Sequence, residues 1–144
     1  MKKMERILVV DDNAELRSII SDVLRIQGYV VSEAVDGIDA MEVCSRSNPD
    51  AVLLDIQMPR QGGLETLKAI SDCASDMPVI ILSGVDDAAV VSEAMRGGAF
   101  DYINKFPLDL DRVLSSLRLA LERSVDRNPR HQAEPSTWEP GALS

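Results

Sequence analysis

Five side chains with chemical potential stand at or just past the ends of short apolar runs. "RILVV" (6–10) leads into Asp11-Asp12, "AVLL" (51–54) into Asp55, "VIIL" (79–82) into Ser83-Gly84, and "FDYI" (100–103) stops two residues short of Lys105. Three carboxylates gathered within a few ångströms repel one another and raise their own pKa values unless a cation relieves them. A small set of oxygen ligands suits Mg2+, which keeps several waters and takes one or two carboxylates together with phosphate oxygens. A metal so held neutralises a phosphoryl group while a carboxylate attacks phosphorus, giving an acyl phosphate. The far side of that phosphoryl group needs a second cation and a hydrogen-bond donor. Lys105 and Ser83 are of those types.

Each residue also has a plain structural reading. Asp12, with Glu15 three positions on, has the form of a helix N-cap with a capping box. Asp55 before "MP" and Ser83 before glycine fit turns. Lys105 fits a lysine with its stem on apolar surface and its head in water. Turn residues arising independently have no reason to satisfy one reaction's needs strand by strand, so the combination favours a site.

The elements that position these residues follow from periodicity. After the first apolar run, Ala14, Leu16, Ile19, Ile20, Val23 and Leu24 form a helical stripe, and Gly28 suits its C-terminal cap. "YVVSEA" (29–34) predicts a strand, "IDAMEVCSR" (38–46) a helix, Leu64, Leu67 and Ile70 another helix, and "AAVVSEAM" (88–95) a fourth. Leu110, Val113, Leu114, Leu117 and Leu121 mark the last helix. Strands alternating with helices predict a doubly wound parallel sheet, with the wholly apolar runs in its buried middle. Ligands of such sheets bind beyond the carboxyl ends of the strands. Those ends are where the acids, Ser83 and Lys105 fall. Glu33, in the second strand, receives no role.

Composition narrows the function classes. The 144 residues carry a net charge of −9, which disfavours nucleic acid and anionic membranes and suits a divalent cation or a basic partner. No run approaches the length of a bilayer span, and the apolar stretch in "MKKMERILVVDD" is too short for a signal peptide, so a cytoplasmic location is expected. Cys44 and Cys73 lack metal-ligand spacing and fit reduced thiols. Residues 125–144, with three prolines and no periodicity, are expected to be a linker or flexible tail behind a domain of residues 1–124.

The pieces "ILVVDDN", "PDAVLLDIQMPRQGGLE", "PVIILSG" and "GGAFDYINK", in this order and spacing over about residues 5–122, resemble the receiver domain of two-component response regulators. That resemblance implies the flavodoxin-like fold with strand order 2-1-3-4-5. It implies that Asp55 accepts a phosphoryl group from a phosphohistidine on a sensor kinase or phosphotransfer protein. Asp12, Asp55 and the main-chain carbonyl of Gln57 would ligate Mg2+, with Asp11 acting through water. Lys105 would pair with phosphate oxygens. Ser83 would bind the phosphoryl group and move toward it, and Tyr102 would turn into the space vacated. The surface of helix four, strand five and helix five would then change shape for a partner, a second copy, or an output domain outside this chain. No helix-turn-helix pattern or basic region follows residue 124, so no nucleic-acid contact is expected from the chain itself.

Three positions depart from the family pattern. Gly84 replaces the usual small side chain after the serine, and Gly62 stands where an acidic residue often precedes the family glycine, here Gly63. Phe106 replaces the proline that normally follows the lysine through a cis bond. A cis bond before a residue other than proline costs roughly 2.5–4 kcal/mol. A trans Lys105–Phe106 bond is therefore expected, or a turn taken over by Phe106–Pro107. Two other readings use the same residues. An Mg2+-dependent phosphohydrolase would also form an aspartyl phosphate, but Gln57 stands where its general acid should be. A binding module of the same fold that is never phosphorylated would leave the filled chemical positions without purpose.

Overall fold

The computed structural model describes residues 4–57, 62–74, 76–84 and 87–127. Five strands alternate with five helices: β1 (Arg6–Val10), α1 (Ala14–Ile26), β2 (Val30–Ala34), α2 (Gly37–Ser47), β3 (Ala51–Asp55), α3 (Gly63–Cys73), β4 (Val79–Ser83), α4 (Ala88–Arg96), β5 (Asp101–Asn104) and α5 (Leu110–Arg127). All pairings are parallel, in the order β2-β1-β3-β4-β5. The expected doubly wound sheet is therefore present.

Strand alternation splits the core in two. Leu8, Val10, Val52, Leu54, Val79 and Ile81 point to one face, where they pack with Ala40 and Val43 of α2, Leu67 and Ile70 of α3, and Ala94 of α4. Ile7, Val9, Leu53, Ile80, Leu82 and Ile103 point to the other, against Ile20 and Leu24 of α1 and Val113, Leu117 and Leu121 of α5. Strands β1, β3 and β4 lie in the interior of the sheet and are covered on both faces, which is why they read as unbroken apolar runs rather than alternating ones.

Helix ends are set by short polar side chains. Asn13, not Asp12, caps α1, its Oδ1 accepting from the Leu16 N–H at 3.1 Å. The capping role that Asp12 could have served is thus filled by its neighbour. Asp36 and Asp87 cap α2 and α4 in the same manner. Gly28, at φ +99°, turns the chain out of α1 in the left-handed conformation that glycine adopts without strain. Strand β5 begins one residue later than the apolar pattern suggests, since Phe100 lies at its entry with its N–H bonded to the Val79 carbonyl at 2.7 Å. Helix α5 continues to Arg127, and the remainder of the expected tail lies outside the described residues. No described helix is long and apolar enough to cross a membrane.

Candidate functional site

Register brings the chemical residues to one edge. Val10 pairs with Leu54, Asp55 with Leu82, and Ser83 with Asn104, so β1, β3, β4 and β5 end nearly level. The last or next residue of each is Asp11, Asp55, Ser83 and Lys105 respectively, Lys105 directly following Asn104, the last residue of β5. The chain leaves β1 toward β2 on one side and resumes with β3 on the other. Between these two strands the connections diverge, opening the cleft where ligands of such sheets bind.

Asp11 and Asp55 are almost wholly buried, at 2% and 3% exposure, and Lys105 is buried between them. The ammonium Nζ lies 3.0 Å from Asp11 Oδ2 and 3.2 Å from Asp55 Oδ2. The remaining carboxylate oxygens take main-chain donors, Asn13 N–H to Asp11 Oδ1 at 2.9 Å and Gln57 N–H to Asp55 Oδ1 at 3.1 Å. Asp12 stands exposed at the rim, yet one oxygen from each of Asp11, Asp12 and Asp55 lies within 4.8 Å of the others. Ser83 is fully buried at the end of β4, and its carbonyl accepts from the Lys105 N–H at 3.0 Å. Lys105 is thus anchored at its backbone as well as its head.

The electrostatics leave room for a cation. Burial pushes the Asp55 carboxyl above the ordinary aspartate range and the Asp11 charge pushes it the same way, while the Gln57 N–H and Lys105 pull it down. Burial alone would lower the Lys105 pKa, but its hydrogen bond to Asp11 and the two carboxylate charges hold it above the usual lysine value. By formal charge, three carboxylates against one ammonium leave the cluster at minus two, which one divalent cation neutralises. All-oxygen donors on a partly open rim fit Mg2+ better than zinc, which prefers nitrogen and sulfur.

Two residues without a role in the sequence reading support this cluster. Arg17 of α1 donates from Nη1 to the Asp11 main-chain carbonyl at 2.7 Å and from Nε to Glu33 Oε1 at 2.9 Å. The Glu33 carboxylate also meets Arg25 at 3.5 Å. A rigid guanidinium fork thus ties the turn carrying Asp11 and Asp12 to β2. Their only sequence signal is an arginine facing the sheet one turn into α1, which is too common to single out. Gly63 has an equally local reason. A methyl group there would overlap Ile56 Cα and come 2.8 Å from the Asp55 carbonyl oxygen, so α3 can start against the end of β3 only with glycine. Gly62 precedes it without side-chain capping, and Glu65 Oε1 accepts from its N–H instead.

Tyr102 is half-buried on β5 beside Ile81 and packs against the core shared by α2, α3 and α4. Among the described residues the cis peptide bond is Phe106–Pro107, and Lys105–Phe106 is trans as expected. Cys44 and Cys73 are both free thiols.

A doubly wound sheet with paired buried acids and a lysine at its switch point defines a class, the receiver fold, and comparison with known proteins agrees. Residues 7–118 match the family model of the response regulator receiver domain. Response regulator MprA of Mycobacterium sp. (strain KMS) is 37% identical over 125 residues, covering 86% of this chain and 54% of its own length. The crystal structure of NtrX from Brucella abortus is 30% identical, with a TM-score of 0.81 over 93% of this chain and 30% of that one. A CheY-like receiver domain from Methanospirillum hungatei JF-1 shares the fold at 23% identity, with a TM-score of 0.83, and is covered over its full length. The chain belongs to the response regulator receiver domain family, the signalling modules of two-component systems. It spans about half the length of the curated MprA relative and less than a third of NtrX.

Proposed function

We propose that this chain is the phosphoacceptor of a phosphorelay, with Asp55 receiving the phosphoryl group from a phosphohistidine of a sensor kinase or phosphotransfer protein. The observation that carries the reading is the single ammonium of Lys105 shared between the buried carboxylates of Asp11 and Asp55. That arrangement leaves negative charge uncompensated at a sheet edge open to a divalent ion. Asp11, Asp12, Asp55 and the Gln57 carbonyl would hold Mg2+, which supplies charge neutralisation at the phosphoryl oxygens.

In the transfer, a carboxylate oxygen of Asp55 bonds to phosphorus as the phosphorus–nitrogen bond of the donor breaks, and the imidazole leaves. Lys105, already beside Asp55 Oδ2, pairs with a phosphoryl oxygen once the group arrives. Ser83, at the adjacent strand end, hydrogen-bonds another. Drawing Ser83 toward the new dianion changes the packing next to Tyr102, which pairs with β4 through Ile81. The altered surface is that of α4, β5 and α5, and its reader is a second copy or an output region joined through the residues that follow α5.

Incubation with Mg2+ and acetyl phosphate followed by intact mass tests the reading. One added phosphoryl group is expected, labile to alkali and absent from Asp55→Asn. An alkali-stable label, or one that survives the substitution, would refute it.

A further inference from the structure

Phe106 is 68% exposed although it directly follows the buried Lys105. A lone apolar side chain on a surface needs no explanation, but this ring has a particular seat. A methyl group built on Gly84 would come 2.9 Å from Phe106 Cε2 and 3.0 Å from Cδ2, with the Gln57 side-chain Oε1 at 3.6 Å. The ring therefore occupies the space that a side chain at position 84 requires. Gly84 and Phe106 are the two departures from the family pattern that flank the site, and they fit each other.

The contact joins two segments that each carry a residue of the site. Gly84 follows Ser83, and Phe106 follows Lys105. The base of the phenylalanine is fixed, since its N–H bonds Asn104 Oδ1 at 2.9 Å and the preceding Lys105 N–H bonds the Ser83 carbonyl. With its backbone held, the ring leaves Gly84 mainly by side-chain rotation.

We propose that the Phe106 ring, seated on Gly84, is a gate at the rim of the Asp55 site that restricts water and lengthens the life of the aspartyl phosphate. This rests on the phosphoacceptor reading of Asp55. In the step it slows, a water oxygen bonds to phosphorus as the bond from phosphorus to the Asp55 oxygen breaks. Inorganic phosphate leaves, Asp55 returns as a carboxylate, and the proton of the water passes to phosphate or solvent. An apolar ring offers that water neither a base nor a hydrogen-bond acceptor, and it fills the space over Gly84, beside Ser83 in the chain, by which water would approach. Glycine at 84 is what lets the ring lie there.

The test charges the wild type, Phe106→Ala, Phe106→Leu, Gly84→Ala and the double variant Gly84→Ala/Phe106→Ala with acetyl phosphate and Mg2+. The donor is then removed and decay of the phosphorylated mass is followed, with circular dichroism establishing that each variant is folded. Phe106→Ala is expected to lose the group several-fold faster, and Phe106→Leu to fall between it and the wild type. Gly84→Ala, whose methyl displaces the ring, is expected to decay faster as well. The double variant should decay no faster than the faster single one, because both changes act through one ring. Unchanged decay in Phe106→Ala, or additive effects in the double variant, would overturn the gate alone. A wild-type chain that takes up no phosphoryl group would instead overturn the phosphoacceptor reading beneath it.

Discussion

Lys105 lies between two carboxylates that are nearly inaccessible to water, so removing it and removing Asp55 should have opposite effects on the metal-free protein. Without the ammonium, Asp11 and Asp55 would face each other with no buried counter-charge among the described residues, and breaking such a pair costs about 3–5 kcal/mol. Lys105→Met is expected to lower the urea midpoint of the metal-free protein accordingly, with added Mg2+ recovering part of the loss. Asp55→Asn is expected to raise the midpoint, because burial and the Asp11 charge disfavour the ionised Asp55 in the folded state. Its folded pKa lies above the unfolded value, so ionisation at neutral pH favours unfolding, and the amide removes that penalty. In saturating Mg2+ the order should reverse, since the wild type gains more from binding the ion. Denaturation with and without Mg2+ measures both. A destabilised Asp55→Asn in the absence of metal would show that the Lys105 pairing outweighs the burial of charge.

At the level of elements, the turn after β1 depends on α1 and β2 through Arg17. This arginine touches the main chain of Asp11 rather than its carboxylate, so its role is positioning. Arg17→Ala is expected to weaken Mg2+ binding about tenfold, as the loss of groups that orient ligands commonly does, with the helical signal unchanged. Arg17→Lys should restore little, because a single ammonium cannot bridge the Asp11 carbonyl and Glu33 as the guanidinium does. Calorimetric titration with Mg2+ checks this, and unchanged affinity in Arg17→Ala would dismiss the role. A second element-scale consequence concerns α2. Burial raises the Cys44 thiol pKa, and the nearby Cys73 adds to it. A Cys73→Ser variant should therefore alkylate at Cys44 with a pH–rate midpoint above that of free cysteine. In the wild type the exposed Cys73 should react first.

Across the whole molecule, the two apolar layers carry stability while the strand ends carry the candidate site. Leu53 is buried on the face shared with α1 and α5, well inside β3. Leu53→Ala should cost about 2–5 kcal/mol of unfolding free energy. Its effect on Mg2+ affinity should be small so long as the chain stays folded, because Asp55 is held by Gln57 N–H and Lys105 rather than by that side chain. A large loss of Mg2+ affinity in a folded Leu53→Ala would mean that core packing, and not these local bonds, sets the site.

Much of this was legible in the residues themselves. The unbroken apolar runs predicted β1, β3 and β4 because strands covered on both faces have no polar face to alternate with. The placement of Asp11, Asp55, Ser83 and Lys105 after those runs predicted one shared edge, since parallel strands must all end on the same side. What the sequence could not rank was competition among neighbours. Asp12 and Asn13 are both good caps, and only the path of the turn gave the cap to Asn13 and left Asp12 at the rim. Contacts between residues far apart in the chain were equally hidden. Lys105 reaches Asp11 across 94 positions, and Phe106 lies on Gly84 from a separate connection. The types and order of the chemical groups are local properties that the sequence determined by itself. Their distances, their burial and the seat of the Phe106 ring depend on how parallel strands align in register, and only the tertiary structure decided them.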